Sequence, residues 1–86
     1  MFIKSSINVD FHIVKIDDKK YLMEFGEHLR TLRISKKLSQ ENLANDANIP
    51  INQVGRIERG EISTTITTLI ALSKALNIPI KKLFDF

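Results

Sequence analysis

A four-residue sequence, Asn-Ile-Pro-Ile, occurs twice, at residues 48–51 and 77–80, and it constrains the fold more than any other feature of the chain. Each copy lies between two stretches whose apolar residues have helical spacing. Asparagine tolerates the left-handed conformation that ends a helix, and proline fits a helix start because its missing N–H has no partner there. We therefore predict that each copy ends one helix and begins the next, with its first isoleucine pointing inward.

The spacing of apolar side chains changes from a strand period to a helix period close to residue 23. Residues 7–13 alternate apolar and polar side chains, as a half-buried strand does. From Glu24 onward, apolar residues recur every three or four positions. We therefore predict an N-terminal β-strand arm in residues 1–22 and a helical domain in residues 23–86.

A strand arm needs a partner, because its backbone N–H and C=O groups are unpaired along both edges. The charged residues 17–20 are a candidate turn, which would let residues 21–23 return as the second strand of a hairpin. The alternative is pairing with the arm of a second chain. The sequence leaves both alternatives open, and an exposed strand edge also suits a partner protein.

The helical domain divides into five predicted helices. Ser39 and Thr65 each precede a helical stretch and are favourable N-cap residues, since a hydroxyl oxygen accepts a hydrogen bond from the first turn. The expected fold class is therefore all-α, a five-helix bundle with a short N-terminal β-strand arm. The helices are predicted at Glu24–Lys37, Gln40–Ala47, Ile51–Arg59, Ile66–Leu76 and Ile80–Phe84.

Size and composition exclude several classes of protein. The chain has 86 residues, enough for one compact domain, and its 43% apolar content is near the globular average. Cysteine is absent, so disulfides, thiolate catalysis and cysteine-ligated zinc are excluded. No apolar stretch approaches the length of a membrane span and no signal peptide is apparent, so we expect a cytoplasmic protein without membrane contact. The net charge of +3 permits a polyanionic partner.

No group of residues supports catalysis or cofactor binding. His12 and His28 have no second histidine or cysteine at the spacing of metal ligands. The sequence also lacks a glycine-rich phosphate loop and a nucleophile with a matching base. We therefore expect a binding protein, with no enzymatic activity, cofactor or metal.

Residues 40–59 have the pattern of two helices crossed at a tight turn. Small or apolar residues stand at fixed offsets, and Ala44 has to be small because the second helix passes over it. A mixed set of residues then remains outward at the N-terminal end of the second helix, and we take this face as the candidate binding surface. The outward residues are Ile51, Asn52, Gln53, Gly55 and Arg56.

Three stretches resemble the Cro and phage-repressor type of helix-turn-helix domain, found in the XRE-like regulators. They are Leu-Ser-Gln-Glu-Asn-Leu-Ala at 38–44, Val-Gly-Arg-Ile-Glu-Arg-Gly at 54–60, and the apolar pattern of 69–76. The resemblance covers residues 24–85. It implies sequence-specific binding of double-stranded DNA, usually by a homodimer that regulates transcription.

Matching positions in this family imply a role for individual residues. Gln40 matches a phosphate anchor at the start of the second helix. The loop after the third helix is commonly basic in relatives, but here it carries Glu61 and hydroxyl groups, which leaves Ser63 and Thr64 as its weaker phosphate contacts. Ile51, Asn52 and Arg56 match positions that reach base edges in the major groove, and Arg56 suits either a guanine or a phosphate. Gln53 is a weaker candidate for a contact with a base or with the DNA backbone.

The family also implies an internal ion pair and a dimer surface. Arg33 and Glu58 match a salt bridge that holds the recognition helix at its angle. Apolar residues crowd the C-terminus, and a symmetric contact would cover them. These residues are Ile80, Leu83, Phe84 and Phe86. The N-terminal strand is the competing dimer element, and the sequence does not decide between the two.

Three functions are consistent with these residues. The leading hypothesis is a homodimeric transcription regulator, of repressor or controller type, that binds a palindromic operator with residues 51–59 in the major groove. The alternative is an antitoxin whose arm or C-terminal face binds a partner toxin while its helix-turn-helix represses the shared promoter. The third is an assembly protein that works through its arm and has lost DNA binding.

Overall fold

The computed structural model describes residues 18–86, and this range contains four α-helices, one 3-10 helix and no strand. The elements in chain order are α1 (Asp18–Ser35), α2 (Gln40–Ala47), α3 (Ile51–Glu58), α4 (Ile66–Leu76) and the 3-10 helix (Ile80–Phe84). The all-α fold class of the domain is therefore confirmed. The predicted strand at residues 7–13 lies outside the described residues.

The start of the first helix differs from its prediction. We expected a turn near residues 17–20 and a return strand at residues 21–23, but α1 already begins at Asp18. Leu22 is half-buried and precedes the buried Phe25 and Leu29 on one helical stripe, so the helical period extends further back than Glu24. The hairpin is therefore wrong for residues 18–23. The division of the chain at residue 22 stays a prediction, although α1 runs across it.

Both copies of Asn-Ile-Pro-Ile act as predicted. Asn48 and Asn77 have left-handed backbones with φ of 58°, and each ends a helix. The next residue donates its N–H five residues back, from Ile49 to the oxygen of Ala44 at 3.0 Å, and Ile78 does the same at 3.0 Å. This pattern satisfies carbonyl groups that a helix end otherwise leaves unpaired. The chain therefore turns in the same way at both places.

The last element has the predicted limits but not the predicted type. Ile80–Phe84 is a 3-10 helix, with the Lys82 N–H donating to the Pro79 oxygen at 2.9 Å. Five residues are too few to build a run of α-helical hydrogen bonds, and short helices commonly take the tighter form. Within residues 18–86, four α-helices and one 3-10 helix therefore replace the expected five α-helices.

All five helices contribute to one apolar core, which holds α3 against the rest of the domain. Leu83 anchors the 3-10 helix in this core and is fully buried, so the prediction that it lies on a dimer surface is wrong. The buried apolar residues are Phe25, Leu29, Leu43, Ala44, Ala47, Val54, Ile57, Leu72, Leu76 and Leu83. Within residues 18–86, no helix is both long enough and apolar enough to cross a membrane.

Candidate nucleic-acid interface

The start of α2 is fixed by reciprocal hydrogen bonds. The Ser39 hydroxyl accepts from the Asn42 N–H at 2.9 Å, and the Asn42 side-chain oxygen accepts from the Ser39 N–H at 3.3 Å. Such a capping box satisfies two backbone donors at a helix start. Ser39 is therefore the N-cap that the sequence predicts, and Gln40 begins the helix.

The outer face of α3 presents most of the predicted base-contacting residues. Ile51 is 50% exposed, and Asn52 and Arg56 are also exposed, whereas Gln53 is half-buried. The opposite face of the helix is buried in the core. The first two turns of α3 thus combine a fixed inner side with a free outer side that carries an amide, a guanidinium and an apolar side chain.

Gly55 was expected to face outward, but it is buried. A methyl group built at this position would lie 3.0 Å from Nη1 of Arg59 and 3.4 Å from the side-chain oxygen of Gln40. These two long side chains therefore cover the glycine, which explains its burial on the outer side of α3.

The predicted ion pair between Arg33 and Glu58 is present. Arg33 Nε donates to Glu58 Oε2 at 2.6 Å and Nη2 donates to Oε1 at 3.1 Å, while Nη1 donates to the Leu38 oxygen at 2.8 Å. The two side chains are only 11% and 3% exposed. Because both side chains are buried and two hydrogen bonds fix their geometry, this ion pair holds α1 against the C-terminal end of α3.

Gln40 joins the same network. Its amide nitrogen donates to Glu58 Oε1 at 3.0 Å, which links α2 to the ion pair between α1 and α3. This contact uses one of the two amide hydrogens. The predicted phosphate contact of Gln40 is therefore left to its other amide hydrogen and to the N-terminal N–H groups of α2.

The end of α3 brings two arginines and one acid together at the surface. Arg59 Nε donates to Glu61 Oε2 at 2.7 Å, and Arg56 Nε lies 3.7 Å from Glu61 Oε1. The hydrogen bond with Glu61 raises the pKa of Arg59, and the same bond lowers the pKa of Glu61. Glu61 therefore stays charged and lies within the candidate interface.

The loop after α3 places its hydroxyl residues differently. Ser63 is exposed and Thr64 is half-buried, and both residues line an apolar groove. The Thr65 hydroxyl accepts from the Thr68 N–H at 3.2 Å, so Thr65 is the N-cap of α4 as predicted. Phosphate contact by Ser63 and Thr64 stays a prediction.

The fold and the matched residues now identify the family. The helix-turn-helix family model matches residues 29–83, which include all of α2, α3 and α4. The chain belongs to the Cro and phage-repressor type of helix-turn-helix transcription regulators. Members of this XRE-like family are DNA-binding proteins, so the regulator's partner is DNA.

Three relatives resemble the regulator over most of its length. The control protein C.SmaI of Serratia marcescens is 39% identical over 74 residues, which are 86% of this chain and 84% of that protein. The control protein C.BamHI of Bacillus amyloliquefaciens is 36% identical over 63 residues, 72% of this chain and 78% of that one. The crystal structure of the restriction-modification controller protein C.AhdI from Aeromonas hydrophila has a TM-score of 0.75 at 38% identity, covering 76% of this chain and 98% of that chain.

The C-terminal face of the regulator combines exposed aromatic rings with an apolar groove of about 330 Å³. Ile80 is 38% exposed, and Phe84 and Phe86 are 51% and 53% exposed. The Phe84 ring lies 5.5 Å from the Phe25 ring, measured between centroids. The groove runs between α1, the loop before α4 and the chain end, and its lining includes Tyr21, Leu22, Phe25, Leu69, Phe84 and Phe86.

Sequence reasoning missed Gly26, which governs how closely α1 approaches α3. A methyl group at this position would clash with the backbone carbonyl oxygens of Ile57 and Glu58. The signal was present, since a glycine inside a helix is unfavourable and usually needs a packing reason. The sequence does not name the partner surface, because that surface lies about thirty residues away in the chain.

Proposed function

We propose that this regulator is a restriction-modification controller, a homodimer that binds a palindromic operator and sets the transcription of restriction-modification genes. The observation that carries the proposal is the 38% identity to the controller protein C.AhdI across 98% of that chain. The two control proteins C.SmaI and C.BamHI support it, because each is matched over more than three quarters of its length.

On the operator, the N-terminal part of α3 enters the major groove. Asn52 binds an adenine edge, Arg56 binds the O6 and N7 atoms of a guanine, and Ile51 contacts a thymine methyl group. Gln53 has less free surface and is the weaker base contact. Gln40, Ser63 and Thr64 bind phosphates and fix the register of the protein on the duplex. The exposure of α3's outer face and the capped start of α2 support these roles.

The homodimer forms through the C-terminal face. Exposed Phe84 and Phe86 line the apolar groove, and Ile80 is exposed on the same C-terminal segment. Burial against a second copy would remove these surfaces from water. A two-fold axis there would set the two α3 helices about one DNA turn, roughly 34 Å, apart. The N-terminal arm remains the competing dimer element and the competing site for a partner protein.

Selection of genomic fragments by the purified full chain tests this proposal. We expect enrichment of a palindromic sequence next to restriction-modification genes, with half-site centres about 10 bp or a multiple of it apart. Enrichment at unrelated promoters would contradict the controller role but keep operator binding. Enrichment of single half-sites, with a monomer in sedimentation, would contradict the dimer. Co-purification of a small toxin would instead favour the antitoxin.

A further inference from the structure

We propose that Glu61 is a specificity-determining residue, whose carboxylate weakens binding to random DNA more than binding to the operator. This inference rests on the DNA-binding function proposed above. It concerns an acidic residue that lies beside Arg56 and Arg59 at the end of α3, and none of the roles assigned so far uses it.

The backbone of Glu61 has a fixed position relative to α3. Its N–H donates to the Arg56 oxygen at 2.9 Å, and the Gly60 N–H donates to the Ile57 oxygen at 3.0 Å. Gly60 has a φ of 73°, the left-handed conformation that such a helix end requires. The backbone that carries the Glu61 carboxylate is therefore part of the hydrogen-bonded end of α3.

The carboxylate engages both arginines on this surface. It accepts hydrogen bonds from Arg59 at 2.7 and 3.4 Å, and it lies 3.7 Å from Arg56 Nε without a hydrogen bond. All three side chains are close to half exposed, between 47% and 58%. Glu61 thus cancels one of two positive charges and leaves the guanidinium of Arg56 with free donors.

Glu61 and Arg59 lie close to a predicted base contact, Arg56, and to a predicted phosphate contact, Gln40. The Arg59 guanidinium and the Gln40 side chain lie against the same glycine, Gly55, on the outer side of α3. A DNA phosphate that approaches Gln40 therefore comes close to Arg59, whose guanidinium is already paired with Glu61. The same phosphate also meets the negative charge of the Glu61 carboxylate.

Charge at this place acts unequally on the two kinds of DNA. Non-specific binding is almost entirely electrostatic, so it loses affinity when an arginine is neutralised and an anion is added. Operator binding loses the same electrostatic term, but it also includes base-edge contacts. Glu61 lies 3.7 Å from Arg56 Nε and favours one position of that guanidinium, which helps Arg56 to reach a base edge on the operator and gives no advantage on random DNA. Glu61 therefore increases the ratio of operator affinity to random affinity.

Glu61→Gln tests the inference, with affinities measured on the selected operator and on a mixed-sequence duplex of equal length over a range of salt. We expect mixed-sequence affinity to increase roughly fivefold to tenfold near 0.1 M salt, with a salt slope steeper by about 0.9, because one phosphate contact is gained. The ratio of operator to mixed-sequence affinity should fall. In an Arg59→Gln background, Glu61→Gln should have a much smaller effect.

Asp46→Asn is the matched control, because Asp46 is an exposed acid in the last turn of α2, at the opposite end of that helix from Gln40. It makes the same change in net charge and should leave both affinities nearly unchanged. If Glu61→Gln and Asp46→Asn act equally, if Glu61→Gln raises operator and mixed-sequence affinity by the same factor, or if it leaves the mixed-sequence affinity and salt slope unchanged, the inference is overturned. If the wild-type chain does not prefer its selected duplex, the proposed function fails as well.

Discussion

Glu58 and Glu61 lie three residues apart at the end of α3, and each pairs with arginine, but their surroundings are opposite. The Glu58 side chain is 3% exposed and joins α1, α2 and α3, whereas that of Glu61 is 47% exposed and touches only surface arginines. A buried charge that loses its partner cannot be solvated, while an exposed one can. Both glutamates are paired with arginine, so it is their burial that differs. Glu58 therefore stabilises the position of α3, whereas Glu61 sets the charge of its surface.

The largest effect should follow from removing the inner glutamate. Glu58→Ala leaves Arg33 buried without a counter-charge, so we expect the free energy of unfolding to fall by about 3–5 kcal/mol. Urea denaturation measures this. The double variant Arg33→Met, Glu58→Leu should recover most of the loss, because no uncompensated charge remains. A loss below about 1 kcal/mol for Glu58→Ala would remove the basis of the comparison.

A second prediction compares glycines on the two sides of α3. Gly26→Ala should destabilise the fold by about 1–3 kcal/mol, because the new methyl group meets backbone carbonyls that cannot move aside. Gly55→Ala meets the flexible ends of Arg59 and Gln40, and alanine is the better helix former, so it should be neutral or stabilising by up to about 1 kcal/mol. Equal losses in thermal or urea unfolding would contradict the distinction between a rigid inner side and an adaptable outer side.

Arg56→Ala should change DNA binding but not folding. We expect operator affinity to fall by about 1–3 kcal/mol and the preference at one base pair to relax, while the unfolding free energy changes by less than about 0.5 kcal/mol. Arg30→Ala, which removes an exposed arginine from α1, is the control and should leave affinity nearly unchanged. A comparable loss in both variants would mean that Arg56 contributes charge and not base recognition.

The smallest effect concerns the pH dependence of Glu61. Its pKa is lowered from an ordinary value of 4.5 by the Arg59 hydrogen bond, so its contribution to stability is present above that value and is lost as pH falls through the lowered pKa. Wild type should therefore exceed Glu61→Gln only slightly in melting temperature at neutral pH, and the difference should vanish in acid. A difference that grows on acidification would contradict this sign.

Interactions close in sequence could be predicted, because their geometry is set by the residues themselves. Asn48 and Asn77 as left-handed helix ends, and Ser39 and Thr65 as N-caps, need only local hydrogen bonds. The ion pair of Arg33 with Glu58 is a long-range contact, and it was predicted only through the family resemblance.

Features set by packing between distant segments could not be predicted in the same way. Leu83 is one of several apolar residues near the C-terminus, and their crowding suggested a dimer surface. The 3-10 helix instead directs the Leu83 side chain into the core. The start of α1 was misjudged because charged residues before Tyr21 suggested a turn, while Leu22 continues the buried stripe. Gly26 and Gly55 depend on which side chains or carbonyls arrive from elsewhere.

Backbone amide chemical shifts during titration with the selected operator test the central claim most directly. That claim is that the core and the Arg33–Glu58 ion pair fix the inner face of α3, while its outer face binds DNA. We predict that the largest perturbations occur at residues 51–56, with smaller ones at Gln40 and Ser63, and that the side-chain signals of Arg33 remain unchanged. Perturbations confined to the apolar groove around Phe25 and Phe84, with α3 unaffected, would contradict the account.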